Sequence, residues 1–328
     1  MLILNAAEVR RALPMAECIA AMKRAYAALS SGHAEVPLRT RLPIAPHEGV
    51  SLFMPAFVDD EGGQALAVKV VSVFNRNPGR GLPLIHAAVL VLNPETGAVE
   101  ALLEGGSLTA IRTGAGSGAA IDVLARPDAH TLAVFGAGAQ ARAQLRAACA
   151  VRPIETVWGF DPVPERVDAM IAELAGHNGI PRDIRRAASP REAITDADII
   201  CTATTSAAPV FADAHLKPGV HISGVGSYTP EMQEIPTETV ARARVVVDSR
   251  AAVLAEAGDL IIAMRAGQVI ETSVAELGDI LNGNAVGRSD KTQITFFKSV
   301  GVAVQDAAAA QLALANARRL GLGTTIAW

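Results

Sequence analysis

The amino-acid sequence predicts an α/β protein in which a doubly wound parallel sheet is joined to a second, α+β domain. Between residues 131 and 248, short apolar segments typical of buried strands alternate with helical segments. Before residue 100, strand-like segments instead follow one another with turn residues between them. Of the 328 residues, 50% are hydrophobic and only 4% are aromatic, which suits buried parallel strands packed against helices. The length is sufficient for two domains, each with its own core.

The N-terminal part should begin with helices and continue as an antiparallel or mixed sheet. Asn5 is placed to cap a first helix, and Pro14 to start a second one. Strands are predicted at residues 52–57, 65–71 and 85–92. A helix rich in small residues should begin near Ser107 and end before Pro127.

The following part predicts the doubly wound sheet. Its strands are expected at residues 131–135, 156–160, 183–187, 198–202, 220–225 and 244–248. Because six strands complete such a sheet, a long alanine-rich helix over residues 299–320 is expected to return to the first domain. We therefore predict one domain formed by residues 1–118 with 296–328, and another formed by residues 119–295.

A glycine-rich segment connects the first strand of this sheet to its helix. It reads Gly136-Ala137-Gly138-Ala139-Gln140-Ala141 and follows a strand that ends at Phe135. Gly136 allows a tight turn, Gly138 lets a pyrophosphate approach the backbone, and the small Ala141 lets the helix pack closely on the sheet. The helix N-terminus would bind the pyrophosphate. This context predicts an NAD(P)-binding Rossmann-type domain over residues 119–295; the alternative is a tight strand–helix turn without a ligand.

Asp161 ends the second strand, 25 positions after Gly136. A carboxylate at this spacing accepts hydrogen bonds from the adenosine ribose and repels a 2′-phosphate. Pro162 and Val163 follow it, so no adjacent arginine is available to bind a 2′-phosphate, although Arg166 is near in sequence. These residues favour NADH, with NADPH as the alternative cofactor. The structural alternative for Asp161 is a cap for the following turn.

The first domain contains cationic residues suited to a substrate carboxylate. Lys69 lies in an otherwise apolar strand, where an ammonium is costly to bury unless it is paired. Arg112 lies among small residues that leave room for a ligand, and Arg39 is a third candidate. The alternatives are an edge-strand lysine that faces water and arginines that form surface salt bridges.

Composition and cysteine usage argue against several classes of partner. The net charge of -4 includes no basic excess, so neither nucleic acid nor an anionic membrane is an expected partner. The N-terminus has no signal-peptide pattern, and no apolar run is long enough to cross a membrane. The three scattered cysteines fit a reducing cytoplasm, and we expect no metal site.

The chain resembles the ornithine cyclodeaminase/mu-crystallin family over nearly its whole length. The resemblance is carried by Val36-Pro37-Leu38-Arg39-Thr40, Lys69 in its strand, Thr109-Ala110-Ile111-Arg112-Thr113, Phe135-Gly136-Ala137-Gly138-Ala139-Gln140-Ala141, Lys217-Pro218-Gly219, Val225-Gly226-Ser227-Tyr228-Thr229-Pro230-Glu231-Met232 and Phe297-Lys298-Ser299-Val300-Gly301. It implies a homodimer that pairs through the N-terminal domain, which would then serve both substrate binding and dimerisation.

The resemblance also implies roles for individual residues. Arg39, Lys69 and Arg112 would hold the substrate carboxylate, and Lys69 would also transfer a proton. Gly138, Ala139, Gln140 and Asp161 would contact the cofactor, with Ser299 near its nicotinamide end. The full set of candidate cofactor residues is Thr113, Gly136, Gly138, Ala139, Gln140, Asp161, Arg166, Thr202, Val225 and Ser299.

One loop departs from the pattern of true ornithine cyclodeaminases. Those enzymes carry an aspartate that handles the substrate's amine, whereas Tyr228 stands at that position here, and Met232 replaces a lysine. A neutral phenol cannot act as the counter-ion of an ammonium at neutral pH. We include Tyr228 among the substrate-binding candidates and expect plain imine reduction or amino-acid oxidation to place fewer demands on this loop.

These observations predict an oxidoreductase acting on C–N bonds, with Lys69 and Arg112 as its catalytic candidates. The favoured reaction is NAD(P)H-dependent reduction of a small imino acid, such as the cyclic ketimine pyrroline-2-carboxylate, to an L-amino acid. The alternatives are ornithine cyclodeaminase, which converts L-ornithine to L-proline and ammonia, and alanine dehydrogenase. A non-catalytic protein that binds NAD(P)H or another small ligand is an alternative of a different class.

Overall fold

The computed structural model describes residues 1–327, which form two compact units. Among the described residues, the first unit contains residues 1–112 and 302–327, and the second contains residues 113–301. Both boundaries lie a few residues from those expected from the sequence.

The strands and helices follow one another along the chain with short connections. The strands are β1 Leu2–Leu4, β2 Ala34–Glu35, β3 Thr40–Ile44, β4 Gly49–Asp60, β5 Gly63–Phe74, β6 Ile85–Leu92, β7 Val99–Glu104, β8 Thr131–Phe135, β9 Thr156–Phe160, β10 Ile184–Arg186, β11 Ile199–Thr202, β12 His221–Gly224, β13 Arg244–Val247, β14 Ala275–Glu276, β15 Thr295–Lys298 and β16 Thr324–Thr325. The α-helices are α1 Ala6–Ala12, α2 Met15–Ser30, α3 Gly105–Leu124, α4 Ala139–Val151, α5 Pro164–Leu174, α6 Pro190–Ile194, α7 Thr237–Arg242, α8 Arg250–Glu256, α9 Gly258–Arg265, α10 Leu277–Leu281 and α11 Ala303–Leu320. Four short 3-10 helices lie at Ala45–His47, Pro78–Arg80, Asp213–His215 and Glu271–Ser273.

The first unit contains the mixed sheet that the sequence predicts. Its strand order is β16-β1-β7-β6-β5-β4-β2, and β3 pairs with β4. The pairing between β1 and β7 is parallel, whereas β4, β5, β6 and β7 form antiparallel pairs. Helices α2 and α11 pack on one face, where alternate residues such as Met54 and Ala56 are buried. The capping box of Asn5 and Glu8 starts α1, as expected.

The second unit contains an entirely parallel sheet among the described residues. Its order is β10-β9-β8-β11-β12-β15-β13-β14. β8 is buried along its whole length, and β9 and β11 pair on its two sides. Alternate strand residues belong to two apolar clusters, one containing Phe135 and Ile200 and the other Val134 and Ile199, so both faces of the sheet are covered. The doubly wound fold class is confirmed.

The expectation that six strands complete this sheet is wrong. The sheet has eight strands, and Thr295–Lys298 forms β15 between β12 and β13. The predicted domain boundary at residues 295 and 296 therefore falls inside a strand. The last long helix begins at Ala303 and not at Ser299, which lies in the connection after β15. β15 joins the sheet out of chain order, so counting strands along the chain leaves no place for it.

Candidate active site

A cleft opens where β8 meets α4. It has a volume of about 530 Å³ and is lined by residues of the connections after β8, β9 and β11, among them Gly136, Gly138, Asp161 and Arg166. β9 and β11 lie on opposite sides of β8, so the chain connections diverge here. Open parallel sheets bind their ligands at such a switch point, outside the carboxyl ends of the strands.

Two glycines shape the bottom of this cleft. Gly136 has a φ of 90°, and a Cβ there would lie 2.7 Å from the carbonyl oxygen of Ala203. The turn therefore requires glycine for both its conformation and its close approach. A Cβ at Gly138, by contrast, would meet no protein atom within 4 Å, because this residue borders open space. Gly138 is also the N-cap of α4 and supplies no side-chain cap, so the first N–H groups of the helix are available to an anion.

Asp161 follows β9 and is fixed by the backbone on both sides. Its Oδ2 accepts a hydrogen bond from the N–H of Ala137 (3.1 Å), and its Oδ1 accepts one from the N–H of Val163 (2.9 Å). The capping alternative is therefore part of its role, since it closes the turn before α5. The guanidinium of Arg166 is mostly exposed, with Nη1 3.9 Å from Asp161 Oδ1.

The other cofactor candidates lie in α3, α4 and the ends of three strands. Thr113 is in α3, and Ala139 and Gln140 form the first turn of α4. Thr202 ends β11, and Val225 directly follows β12. Ser299 follows β15 and is buried, and its hydroxyl donates to Asp248. Within residues 1–327, Gln140 Oε1 and Thr202 Oγ1 are buried without a hydrogen-bond partner, which fits groups that await a ligand.

In the first unit, a buried ionic cluster forms around Asp306. Lys69 lies in β5 between β4 and β6, on the face that packs against α11. Its Nζ is 2.7 Å from Asp306 Oδ2, and Nε of Arg112 is 2.9 Å from Asp306 Oδ1. Lys69, Arg112 and Asp306 are 2%, 5% and 1% exposed. The alternatives of a water-facing edge lysine and of a surface salt bridge for Arg112 are therefore wrong.

A hydrogen-bonded glutamine extends this cluster. Nη1 of Arg112 donates to Gln305 Oε1 (3.1 Å), and Gln305 Nε2 donates to the hydroxyl of Tyr26 (2.8 Å). These contacts fix the plane of the Arg112 guanidinium. Since one carboxylate faces both Lys69 and Arg112, the cluster retains a positive charge whenever Lys69 is protonated, which suits an anionic ligand.

Burial changes the acidity of Lys69. Desolvation lowers its pKa from 10.5 to about 7, and the charges of Arg112 and, more weakly, Arg39 act in the same direction. Asp306 opposes this shift by attraction and by its hydrogen bond. Arg39 is partly exposed in the segment before β3. The structure thus brings Lys69 and Arg112 together and places Arg39 within electrostatic reach of them.

Asp306 and Gln305 were not predicted from the sequence. Both lie in the first turns of α11, where an isolated acid in an alanine-rich helix is usually interpreted as a solvent-facing residue. The signal that could have revealed Asp306 is the buried lysine itself, because a buried ammonium requires a carboxylate partner. Tyr228 lies in the connection after β12 and is 41% exposed.

Within residues 1–327, no group of three or more histidine, cysteine, aspartate or glutamate side chains is arranged to hold a metal ion. None of the helices in this range combines the length and apolar character needed to span a bilayer. Cys18, Cys149 and Cys201 are free thiols.

Comparison with known proteins identifies the family. Residues 1–319 match the model of the ornithine cyclodeaminase/mu-crystallin family. The chain belongs to this family. A Delta(1)-pyrroline-2-carboxylate reductase of Bacillus cereus is 40% identical to it over 328 residues, which cover 99% of each chain.

Solved structures of similar proteins share the fold of this family member. A Thermococcus litoralis Delta(1)-pyrroline-2-carboxylate reductase in complex with NADH and L-proline has a TM-score of 0.94 and 41% identity, with 99% of this chain and 100% of that chain covered. An archaeal alanine dehydrogenase dimer with bound NAD has a TM-score of 0.91 and 29% identity, with 100% of this chain and 99% of that chain covered.

Proposed function

We propose that the protein is an NADH-dependent reductase that converts a small imino acid, a cyclic ketimine such as pyrroline-2-carboxylate, to the L-amino acid. The observation that carries this proposal is the buried cluster of Lys69, Arg112 and Asp306, in which a lysine has a pKa of about 7. It supplies both a cation for a carboxylate and a group that can exchange a proton near neutral pH. The similar reductases of Bacillus cereus and Thermococcus litoralis support the same reaction.

The residues at the glycine-rich turn fit a dinucleotide. The pyrophosphate would bind at the first N–H groups of α4, beside the open space at Gly138. Asp161 would accept hydrogen bonds from the adenosine ribose, and its spacing from Gly136 supports NADH over NADPH. Gln140 and Thr202 would use their unpaired oxygen atoms, and Ala139, Thr113, Val225, Ser299 and Arg166 complete the proposed set of cofactor contacts. The bound NADH supplies the hydride.

The chain's own side chains would perform two tasks on the substrate. Arg112, together with Arg39 and Lys69, would bind the carboxylate, and Gln305 would keep the guanidinium in its orientation. The Lys69 ammonium would donate a proton to the ring nitrogen as the C=N bond is reduced. Asp306 would hold Lys69 in place and favour its charged form. In this proposal residues 113–301 bind the cofactor, and residues 1–112 with 302–327 bind the substrate.

The alternatives receive less support from individual residues. Ornithine cyclisation would need a counter-ion for an ammonium, and Tyr228 offers a phenol. A purely ligand-binding protein would not need a lysine whose pKa is lowered to about 7. Alanine dehydrogenase activity is compatible with the same cluster, so acyclic substrates belong in the test.

We also propose a homodimer formed through the first unit. The sheet face opposite α2 and α11 carries apolar residues that remain partly exposed, among them Leu42 (49%) and Phe53 (36%). A second copy of this chain would cover that face, and the archaeal alanine dehydrogenase is a dimer. A cytoplasmic location remains a prediction, supported by the three free thiols.

The test is steady-state NADH oxidation, followed by absorbance, against pyrroline-2-carboxylate, pyruvate with ammonia, and L-ornithine. We expect consumption of NADH with the cyclic ketimine and formation of L-proline. Conversion of ornithine without net change in NADH would instead identify a cyclodeaminase. Tight NADH binding without turnover of any substrate would support the non-catalytic alternative.

A further inference from the structure

The second unit buries a carboxylate that holds two neighbouring loops. Glu234 is fully buried, and its Oε1 accepts hydrogen bonds from the N–H (2.7 Å) and the hydroxyl (2.8 Å) of Thr204. Its Oε2 accepts hydrogen bonds from the N–H groups of Gly226 (2.7 Å) and Ser227 (3.1 Å). The Thr204 oxygen itself accepts from Ser206 N–H, so its proton points to Glu234. Four converging donors indicate that Glu234 is ionised.

A buried ion pair lies next to this carboxylate. Lys298 Nζ is 3.0 Å from Asp259 Oδ2, and both side chains are fully buried. Asp259 Oδ1 accepts hydrogen bonds from the N–H groups of Glu234 (2.7 Å) and Ile235 (3.0 Å). Burial raises the pKa of Glu234, Lys298 lowers it, and Asp259 raises it further. Two carboxylates and one ammonium leave this cluster with an excess of one negative charge.

Asp248 performs a similar task on a third loop. Its Oδ2 accepts hydrogen bonds from the Ser299 hydroxyl (2.7 Å) and from the N–H groups of Val300 (3.0 Å) and Gly301 (2.8 Å). Asp248 is 1% exposed, and burial raises its pKa. The connection after β15 is therefore fixed by a second buried acid.

The three loops follow adjacent strands of the parallel sheet. Thr204 follows β11, Gly226 follows β12, and Ser299 follows β15, and these strands are neighbours. Doubly wound sheets bind dinucleotides at the carboxyl ends of such strands. The cofactor candidates Thr202 and Val225 precede the loops that Glu234 holds.

We propose that Glu234 is a positioning residue of the cofactor site, which fixes the loops after β11 and β12 and whose charge favours the oxidised, cationic nicotinamide over the reduced, neutral one. The proposal rests on the NADH dependence proposed above. A fixed negative charge in a region of low dielectric stabilises a nearby positive ring more than a neutral ring. It would therefore make bound NADH a stronger hydride donor.

The test compares the affinities of the full-length protein for three ligands: NADH, NAD⁺ and ADP-ribose, which lacks the nicotinamide. Glu234→Gln removes the charge and keeps the length of the side chain, although its amide nitrogen cannot accept the hydrogen bonds that one carboxylate oxygen accepts. We expect the ratio of the Kd for NAD⁺ to the Kd for NADH to rise by at least about five-fold. The Kd for ADP-ribose reports separately on the position of the loop after β11, because Thr204 lines the cleft beside Asp161. Glu234→Asp, which keeps the charge, should restore the wild-type ratio.

Two further variants separate the charge from a general effect on the fold. Asp161→Asn should weaken all three ligands together and leave the ratio unchanged. Asp248→Asn should raise the ratio in the same direction as Glu234→Gln, and it provides the test if the latter does not fold. An unchanged ratio in the folded charge-removing variants, or equal weakening of all three ligands, would overturn the proposal. Wild-type protein that binds neither NADH nor NAD⁺ would instead refute the proposed function.

Discussion

Lys69 is an ammonium-bearing side chain in the middle of a sheet, between two other strands and under a helix. Such a position disfavours its charged form, and the single carboxylate of Asp306 only partly compensates, so its pKa lies at about 7. Arg112 shares that carboxylate and remains cationic. The two bases therefore differ in function, since one can exchange a proton at neutral pH and the other provides a permanent charge.

Lys69→Ala should reduce kcat/KM for pyrroline-2-carboxylate by about 10³-fold, because it removes the proton donor and one of the cations for the carboxylate. The Kd for NADH, measured by fluorescence, should stay nearly unchanged. The exposed Lys291 provides a matched control, and Lys291→Ala should keep the wild-type rate. Wild-type rates in Lys69→Ala would show that Lys69 has no role in catalysis.

The pH dependence should have opposite signs in the two directions of the reaction. Reduction needs the protonated side chain of Lys69, so the kcat/KM of reduction should fall as the pH rises through about 7, the pKa of Lys69. Oxidation of L-proline needs the neutral side chain of Lys69, so the kcat/KM of oxidation should rise over the same pH interval. Measurements of kcat/KM against pH in both directions check this prediction. If kcat/KM changed in the same sense in both directions, the prediction would be wrong.

At this scale, the sequence indicated the cations but not their partner. Lys69 was identifiable because a lysine is unusual in an apolar strand, and Arg112 because small residues surround it. Asp306 lies 194 positions after Arg112, and no local pattern connects the two. Residues that carry an anomalous charge can be recognised locally, whereas the residue that compensates it is chosen by the tertiary structure.

At the scale of elements, the turn between β8 and α4 depends on two glycines for different reasons. Gly136 needs a positive φ and has no space for a side chain, whereas Gly138 has an ordinary φ of -83° and borders open space. Gly136 is therefore needed mainly for folding, whereas Gly138 is needed mainly for binding.

Gly136→Ala should destabilise the protein by more than about 2 kcal/mol, because it combines backbone strain with a contact to a carbonyl oxygen. Gly138→Ala should change stability by less than about 1 kcal/mol but raise the Kd for NADH by at least about ten-fold. Thermal unfolding and NADH titration of the pair check this. Unchanged NADH affinity in Gly138→Ala would place the pyrophosphate elsewhere.

Helix α11 places Asp306 in contact with Lys69 and Arg112. Asp306→Asn should lower the midpoint of thermal unfolding, because leaving buried charges unpaired costs about 3–5 kcal/mol. The variant should also shift the fall in kcat/KM for reduction to lower pH, since Asp306 raises the pKa of Lys69. The exposed Asp196 offers the control Asp196→Asn, which should change neither quantity. If kcat/KM for reduction fell at the same pH as in the wild type, Asp306 would not affect the pKa of Lys69.

The elements with a strong pattern were predicted well, and the exceptions have a physical cause. The strands Thr131–Phe135 and Thr156–Phe160 have the predicted bounds, since each is a short apolar run next to a helix. β15 was missed because it joins the sheet out of chain order, between β12 and β13, so a sheet counted along the chain already looked complete. The start of α11 was placed four residues early for the same reason, because Ser299 belongs to the loop after that strand.

At the scale of the whole molecule, the open face of the first unit's sheet carries partly exposed apolar residues. A partly exposed apolar face on an otherwise mildly charged chain is typical of an interface. We therefore expect a dimer in sedimentation experiments. Phe53→Asp should shift the mass towards the monomer, whereas Ile270→Asp, at a position 67% exposed in the second unit, should not. A monomeric wild-type protein would contradict this prediction.

In the proposed reaction, a hydride passes from the cofactor to the imine carbon of a substrate held by Lys69 and Arg112. This transfer is tested most directly with NADH that carries deuterium at both positions of C4, in the presence of pyrroline-2-carboxylate. Mass spectrometry should find L-proline with one deuterium at its α-carbon, formed in equal amount to the NADH consumed. Unlabelled proline, or no proline from a protein that binds NADH, would rule out this hydride transfer.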